Sequence, residues 1–272
     1  MGFVTVNGFD LHYLDEGQGQ PVVFIHGFGG CAEGWYQQFE ALTPHYRVIA
    51  YDSVNHGHSV NTPAGEPEPD RADELEGFLA ALGIDRPVLA GNSMGALTLL
   101  RWATRHPGDA VALVPSGMGI TPPDADLAAE AERGRAITAA VPDDVLFLPS
   151  EAAFTREFRE ARAEQYERYV RLRSTATRIE ASHRPRRATM RNPSRDELGA
   201  AVASITAPMQ IVIGDRDWLF AAARHLHELV PASRLHVIDG APHNAYFERA
   251  DDYNRVVLDF LAAMTAEPAA RR

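Results

Sequence analysis

The alternation of hydrophobic and polar positions predicts short buried strands separated by helices. Asn7-Gly8 lies between Phe3–Val6 and Leu11–Tyr13, which predicts a β-hairpin at the start of the chain. Further apolar runs are short and bounded by turn residues, as is typical of strands buried on both faces. These runs are Val22–Ile25, Arg47–Tyr51, Pro87–Ala90, Ala110–Val114, Gln210–Ile213 and Leu235–Ile238. With helices predicted at Asp73–Leu82 and Met94–Thr104, the order favours a mostly parallel α/β sheet covered on both faces.

The middle of the chain interrupts this alternation. No convincing strand is found from about Gly119 to Ala203, whereas Asp124–Ala139 and Ser150–Glu180 have helical patterns. The capping box Ser194-Arg195-Asp196-Glu197 predicts the start of a further helix. We therefore expect one α/β core domain, formed by residues 1–118 and 206–272, that is interrupted by a helical insertion at residues 119–205.

Composition is that of an ordinary soluble globular protein and argues against several classes of partner. The 272 residues carry a formal net charge of -11, so the chain lacks the basic character that nucleic-acid binding requires. No stretch approaches the roughly 18 unbroken apolar residues of a membrane helix, and the first residues do not resemble a signal peptide. A single cysteine, Cys31, permits no internal disulfide. We expect a cytoplasmic protein with a small-molecule substrate, and a homodimer is an open alternative to a monomer.

The segment VLAGNSMGALTLL contains a candidate nucleophile. Ser93 lies between a predicted buried strand and a predicted helix, with Gly91 and Gly95 two residues away on each side. A turn this tight needs glycine at both positions, because side chains there would strike the neighbouring strand and helix. The pattern is typical of a nucleophile elbow, in which a strained backbone holds the serine hydroxyl clear of the sheet.

Two later segments offer the partners that a serine nucleophile needs. A serine hydroxyl is activated by a base, and a carboxylate orients that base. His243 lies in a late loop directly after a predicted strand, and Gly214-Asp215-Arg216-Asp217 follows an earlier one. The order serine, aspartate, histidine along the chain is that of one particular fold.

Together these residues resemble the α/β-hydrolase fold, in the group with a helical cap inserted after the sixth strand. The segments that carry the resemblance are FIHGFGG, YDSVNHGHS, GNSMGA, IVIGDRD and GAPHNAYFE. The resemblance implies a mostly parallel eight-stranded sheet flanked by helices, with catalysis that needs no cofactor or metal. It also implies that Asp217, three residues after Gly214, is the acid rather than Asp215. The oxyanion hole would be formed by the N–H groups of Phe28 and Met94.

Other residues are candidates with an alternative interpretation beside each. Gly27 would shape the oxyanion loop, and Trp35 and Trp218 would line an apolar pocket, although core packing explains the tryptophans equally well. Asn55 replaces a glycine that the family often has after the fourth strand, and asparagine tolerates the left-handed backbone that this turn requires. A metal site among the nearby histidines is disfavoured, because His26 belongs to the oxyanion-loop motif.

Nine arginines lie between residues 168 and 195 of this acidic chain, at positions 168, 171, 173, 178, 184, 186, 187, 191 and 195. One interpretation is a solvated cap surface on which arginines pair with nearby glutamates. The other is that one arginine binds a substrate carboxylate in the cleft, with Arg187 and Arg191 as candidates.

We predict a serine hydrolase that cleaves a small or medium carboxylic ester or lactone through an acyl-enzyme. The alternatives are a carbon–carbon bond hydrolase acting on a ring-fission dienoate, a cofactor-free haloperoxidase or perhydrolase, and a hydrolase-like receptor or non-hydrolytic lyase or cyclase. Dienoate hydrolases of this family usually have an aromatic residue directly after the catalytic histidine, where this chain has Asn244. A cleft arginine would favour the dienoate hydrolases.

Overall fold

A single eight-stranded sheet organises the computed structural model, which describes residues 1–63, 66–122, 153–176 and 195–266. The strands are β1 (Gly2–Val6), β2 (Phe9–Glu16), β3 (Pro21–Ile25), β4 (Arg47–Tyr51), β5 (Val88–Asn92), β6 (Ala112–Ser116), β7 (Gln210–Gly214) and β8 (Arg234–Ile238). Their order in the sheet is β1-β2-β4-β3-β5-β6-β7-β8. β2 pairs antiparallel with β1 and β4, and all other neighbouring strands are parallel. The predicted fold class is confirmed.

Helices cover both faces of the sheet. They are α1 (Tyr36–Leu42), α2 (Arg71–Ala81), α3 (Met94–Arg105), α4 (Arg156–Ala161), α5 (Ala163–Ala176), α6 (Arg195–Val202), α7 (Phe220–Leu229), α8 (Ala245–Glu248) and α9 (Ala250–Ala266), with a 3-10 turn at Ala32–Trp35. Apolar residues of α2, α3, α6 and α7 pack on one face, and those of α1, α8 and α9 on the other. None of the helices in the described ranges is both long and apolar enough to cross a membrane.

Several element boundaries differ from the sequence prediction. Helix α2 begins at Arg71, two residues earlier than expected, because the Asp70 side chain accepts hydrogen bonds from the N–H groups of Ala72 and Asp73. Strand β8, which the sequence predicts to be buried on both faces, lies at the edge of the sheet and leaves Val237 40% exposed. The Asn7-Gly8 turn has positive φ at both residues, as the predicted hairpin requires.

Between β6 and β7 the described residues form the three helices α4, α5 and α6, joined to the rest by short irregular segments, and no strand. The predicted helix Asp124–Ala139 lies outside the described residues, and so do both ends of Ser150–Glu180. Within the described part of the latter, the expected single helix is two, because the chain leaves helical geometry at Arg162 between α4 and α5. Helix α6 starts directly after the predicted cap Ser194. The boundaries 119 and 205 stay a prediction.

The parallel strands bring four loops to one edge of the sheet. β3, β5, β7 and β8 all end at this edge, and the loops that follow them contain Gly27, Ser93, Asp217 and His243 in turn. In open α/β sheets, ligands bind outside the carboxyl ends of the strands. The candidate residues therefore share the edge where a site is expected.

Candidate active site

Ser93 occupies a sharp turn between β5 and α3. Its φ of 54° and ψ of -112° lie in a region that costs of order 1–3 kcal/mol for a side-chain-bearing residue. The turn is fixed by the Ser93 N–H, which donates to the Ser116 carbonyl at 2.9 Å. A Cβ on Gly95 would lie 2.0 Å from the Ile25 carbonyl oxygen, and a Cβ on Gly91 only 2.6 Å from the backbone of residue 95. The glycines are thus required for close backbone approach, as the sequence predicted.

His243 is oriented by Asp217. The two side chains are buried, and His243 Nδ1 lies 2.9 Å from Asp217 Oδ2. The second carboxylate oxygen accepts the Leu219 N–H at 2.9 Å. A carboxylate accepts hydrogen bonds, so the proton belongs on Nδ1 and a lone pair is left on Nε2. Asp215 is exposed, so of the two candidate acids Asp217 is the one that contacts the histidine.

The histidine loop lies against the residue that precedes Ser93. Gly117, which follows β6, has space for no side chain, because its Cβ would lie 2.7 Å from Asn92 Oδ1 and 3.2 Å from His243 Cε1. Asn92 Nδ2 also lies 3.5 Å from Asn244 Oδ1. Asn92 therefore connects the elbow to the histidine loop. It is not among the residues predicted from the sequence, although its place beside Ser93 in the motif is a usable signal.

The loop after β3 lies against Ser93. The Gly27 carbonyl accepts hydrogen bonds from His26 Nδ1 at 2.8 Å and from the Gly30 N–H at 2.9 Å. Across a trans peptide the N–H of Phe28 points the opposite way from that carbonyl. A Cβ on Gly27 would lie 3.4 Å from Ser93 Cβ, so the loop and the elbow are in contact. Met94 begins α3, and N–H groups in a first helical turn have no intrahelical acceptor.

Buried polar residues form hydrogen bonds that fix the loop after β3. His26 Nε2 accepts the Ser53 N–H at 3.1 Å, and burial lowers the pKa of His26, which favours the neutral ring. Burial alone would raise the pKa of Asp52, but hydrogen bonds, the strongest from His12 at 2.8 Å, hold it below its usual value. Burial also lowers the pKa of His56 strongly. Across the described ranges, no three His, Cys, Asp or Glu side chains are grouped to hold a metal ion.

The two candidate tryptophans have different surroundings. Trp35 is 1% exposed, and its ring packs against Phe24 and Tyr246 at centroid distances of 4.8 and 4.3 Å. This placement favours core packing over the pocket-lining role. Trp218 is half-buried and stacks on His243, with ring centroids 4.0 Å apart. Of the two, Trp218 lies at the site.

One of the nine arginines reaches the loop after β3, and it is neither of the two named as candidates from the sequence. Arg187 and Arg191 lie outside the described residues. Arg173 of α5 donates through Nη2 to the Phe28 carbonyl at 2.9 Å and through Nη1 to the Tyr169 hydroxyl at 2.8 Å. The same hydroxyl accepts from Asn244 Nδ2 at 3.1 Å. The i,i+4 spacing of Tyr169 and Arg173 is the sequence signal that they share a helix face.

Comparison with known proteins places the chain in a family. The family model described as the alpha/beta hydrolase fold matches residues 20–250. The chain belongs to this family. It is accordingly an enzyme of the hydrolase class, as predicted, and the buried Cys31, whose pKa is raised by burial to about 12, is poorly suited to act as its nucleophile.

Curated relatives of this α/β-hydrolase include enzymes named for dienoate substrates. The 2-hydroxy-6-oxo-6-phenylhexa-2,4-dienoate hydrolase of Comamonas testosteroni is 29% identical over 94% of this chain and 92% of its own length. Among solved structures, a serine hydrolase involved in carbazole degradation is 27% identical, with a TM-score of 0.72 over 96% of this chain and 98% of its own. An N-acyl homoserine lactone degrading enzyme is 25% identical, with a TM-score of 0.75 over 95% of this chain and 100% of its own.

Proposed function

We propose that this α/β-hydrolase cleaves a carbon–carbon bond in a 2-hydroxy-6-oxo-dienoate. The observation that carries the proposal is the site itself: an Asp217-oriented His243 beside the Ser93 elbow, with an arginine at the oxyanion loop. Full-length similarity to a dienoate hydrolase favours this substrate class over the ester or lactone that the sequence first suggested.

Each residue has a role that its geometry supports. Ser93 attacks the substrate carbonyl while His243 Nε2 takes its proton. Asp217 keeps the proton of the neutral ring on Nδ1 and stabilises the imidazolium that forms. The N–H groups of Phe28 and Met94 bind the developing oxyanion. Since the Gly27 carbonyl is held by two donors, the Phe28 N–H is oriented before substrate arrives.

The bond changes balance with water as the sole co-reactant. In the keto form of the substrate, C5 is a saturated carbon between the 6-oxo carbon and a C3–C4 double bond that is conjugated to the 2-oxo group, and the bond to be broken joins C5 to C6. Addition of Ser93 to the 6-oxo carbon lets that carbon–carbon bond break, and the electron pair leaves as a dienolate that His243 protonates. Water then hydrolyses the acyl-enzyme to a carboxylic acid. The second product is a 2-hydroxydienoate, and we propose no cofactor or metal.

A dienoate carries a carboxylate, and the site has a cation for it. Arg173 brings its guanidinium to within 2.9 Å of the Phe28 carbonyl, at the same loop that would bind the oxyanion. An arginine fork matches a carboxylate in geometry and charge. We propose that Arg173 attracts the carboxylate end of the substrate, with Arg187 and Arg191 as further candidates for direct binding.

We propose that the inserted helices, residues 119–205, form a cap over this cleft. The N-terminal end of the described cap segment is fastened to the histidine loop: the Ala153 carbonyl accepts the Asn244 N–H, and Thr155 donates twice to Glu248 at 2.8 and 2.6 Å. A cap attached in this way would exclude bulk water from the acyl-enzyme until hydrolysis. Oligomeric state and cytoplasmic location stay predictions.

The experiment that tests the proposal compares two reactions in the same preparations. Loss of the absorbance of a 2-hydroxy-6-oxo-dienoate is followed for wild type, Ser93→Ala and Ser204→Ala, the last being an exposed serine outside the site. We expect cleavage by wild type and Ser204→Ala and a loss of about 1,000-fold or more in Ser93→Ala. Turnover of aryl esters and lactones without dienoate cleavage would refute the proposal.

Ester or lactone hydrolysis is the second candidate. Asn244 occupies the position where dienoate hydrolases usually have an aromatic residue, and a lactone-degrading enzyme is among the similar structures. Both reactions use the same nucleophile, base and oxyanion hole, so they differ in the leaving group alone. The ratio of kcat/KM for dienoate to that for the best ester or lactone decides between them.

A further inference from the structure

Trp218 covers one face of the proposed base. Its indole ring stacks on the imidazole of His243 with a centroid distance of 4.0 Å and an interplanar angle of 28°. Trp218 directly follows Asp217. Two adjacent residues therefore contact the imidazole of His243, Asp217 at its Nδ1 edge and Trp218 at one face. The turn that carries both is fixed by hydrogen bonds from the Asp217 N–H to the Gly214 carbonyl and from the Leu219 N–H to the Asp217 carboxylate.

The imidazole is restrained on three sides by described atoms. Asp217 Oδ2 binds the Nδ1 edge at 2.9 Å. The Cε1 edge faces Gly117, where a Cβ would come within 3.2 Å of it. Trp218 covers one face. Rotation of the ring about its bond to Cβ would sweep the imidazole into the indole, so the stack opposes the motion that would turn Nε2 away from Ser93.

We propose that Trp218 is a positioning residue that acts through His243 and is not primarily a wall of the substrate pocket. The inference rests on the proposed role of His243 as base. The imidazole of His243 covers the indole face against which it stacks. When His243 takes the serine proton, its positive charge forms directly against that face, where cation–π attraction favours it. The stack therefore supports both the orientation of the neutral ring and the charge of the transition state.

Substitution of Trp218, assayed with a small reagent, separates the two roles. A small organophosphonate fluoride reacts with an activated serine but occupies little of the pocket. In Trp218→Leu we expect its rate of reaction with Ser93 to fall by about 5- to 30-fold. The kcat for a dienoate and for p-nitrophenyl acetate should fall by the same factor, with little change in KM. Trp218→Phe keeps an aromatic face and should recover most of the rate.

The chain offers a matched control elsewhere. Trp102 also stacks on a histidine, His106, with centroids 4.6 Å apart, at the far end of α3 from Ser93. Trp102→Phe should leave the phosphonylation rate unchanged. A rise in KM confined to the larger dienoate, with an unchanged phosphonylation rate in Trp218→Leu, would assign Trp218 to the substrate wall and overturn the proposal. Unchanged kinetics in every assay would overturn it as well.

A spectroscopic readout does not depend on turnover. The ring protons of His243, assigned by comparison with His243→Ala, should show an upfield ring-current shift in wild type and Trp218→Phe that is lost in Trp218→Leu. If wild type reacts with the phosphonate but leaves the dienoate intact, the proposed function fails while the role of Trp218 is still measured. If folded wild type does not react with the phosphonate, the assigned base fails, and the positioning role fails with it.

Discussion

Gly117 offers a sharp test of the site geometry, because a single methyl group there should disturb two site residues at once. The Cβ of Gly117→Ala would lie 2.7 Å from Asn92 Oδ1, whereas ordinary van der Waals contact begins at 3.4 Å. It would also lie 3.2 Å from both the Cε1 and the carbonyl oxygen of His243. Since the carbonyl is backbone, we expect the Asn92 amide or the whole histidine loop to move.

The cost in stability has two parts. Gly117 has a φ of 56°, and an alanine in this left-handed region costs about 1–2 kcal/mol. The smaller conformational freedom of alanine in the unfolded chain returns about 0.4–1 kcal/mol. Overpacking against Asn92 and His243 adds about 1–3 kcal/mol. We expect the free energy of unfolding to fall by about 1–5 kcal/mol.

Gly83→Ala is the matched control for backbone strain. Gly83 has a φ of 62°, and a Cβ added there would have no atom within 4 Å, because the residue follows helix α2 at an exposed site. It should lose about 1 kcal/mol of stability and no activity. In Gly117→Ala a displacement approaching 1 Å at the site should lower kcat/KM by about 10- to 100-fold.

The assay measures kcat/KM and urea unfolding for both variants, with rates corrected for the folded fraction. If Gly117→Ala retains the activity of Gly83→Ala, then Asn92, Gly117 and His243 are not packed as described. If both variants lose the same stability, the overpacking contribution is absent, and the 2.7 Å approach is relieved without cost.

Three further outcomes are expected. Tyr169→Phe removes the hydroxyl that accepts hydrogen bonds from Arg173 and Asn244. We therefore expect kcat/KM to fall about 10-fold in steady-state assays, and an unchanged value would contradict this link. Glu248→Gln replaces one of the two acceptor oxygens that Thr155 uses with a donor NH2, so one hydrogen bond is lost and hydrogen exchange at residues 153–161 should accelerate about 5-fold or more in mass spectrometry. The pKa of Asp52 is held below its unfolded value, with His12 as the strongest hydrogen-bond partner, so its contribution to stability is complete above about pH 4 and is lost as the pH falls through the lower folded pKa. The free energies of unfolding of wild type and Asp52→Asn, measured in urea, should therefore converge once the pH is below the folded pKa of Asp52.

The sheet and the elbow could be predicted because their signals are local. Strand burial is encoded in short apolar runs, and the glycines at 91 and 95 are required by backbone approaches of 2.6 and 2.0 Å. The choice of Asp217 over Asp215 rests on the family pattern, and in the structure the Asp217 carboxylate contacts His243 while Asp215 is exposed.

The contacts that α4 and α5 make with the rest of the protein could not be predicted, because they join residues far apart in sequence. The i,i+4 spacing places Arg173 on the helix face of Tyr169, but no local signal shows that this face meets the loop after β3. Its contact with the Phe28 carbonyl depends on how α5 lies across the oxyanion loop. Trp35 was ambiguous for the same reason: its neighbours Phe24 and Tyr246 come from opposite ends of the chain.

Asn244 connects these observations to the substrate. Its side chain lies between Asn92 and the Tyr169 hydroxyl, so the position that usually carries a ring in dienoate hydrolases here carries a polar link from the elbow to α5. Trp218, which directly follows Asp217, nevertheless places an aromatic ring against His243. His243 therefore has an aromatic neighbour even though residue 244 is not aromatic. Asn244 instead donates to the Tyr169 hydroxyl of α5, so a polar contact replaces the ring at this position. A substrate with a polar group directed toward Tyr169 would suit this arrangement better than one with an apolar group there.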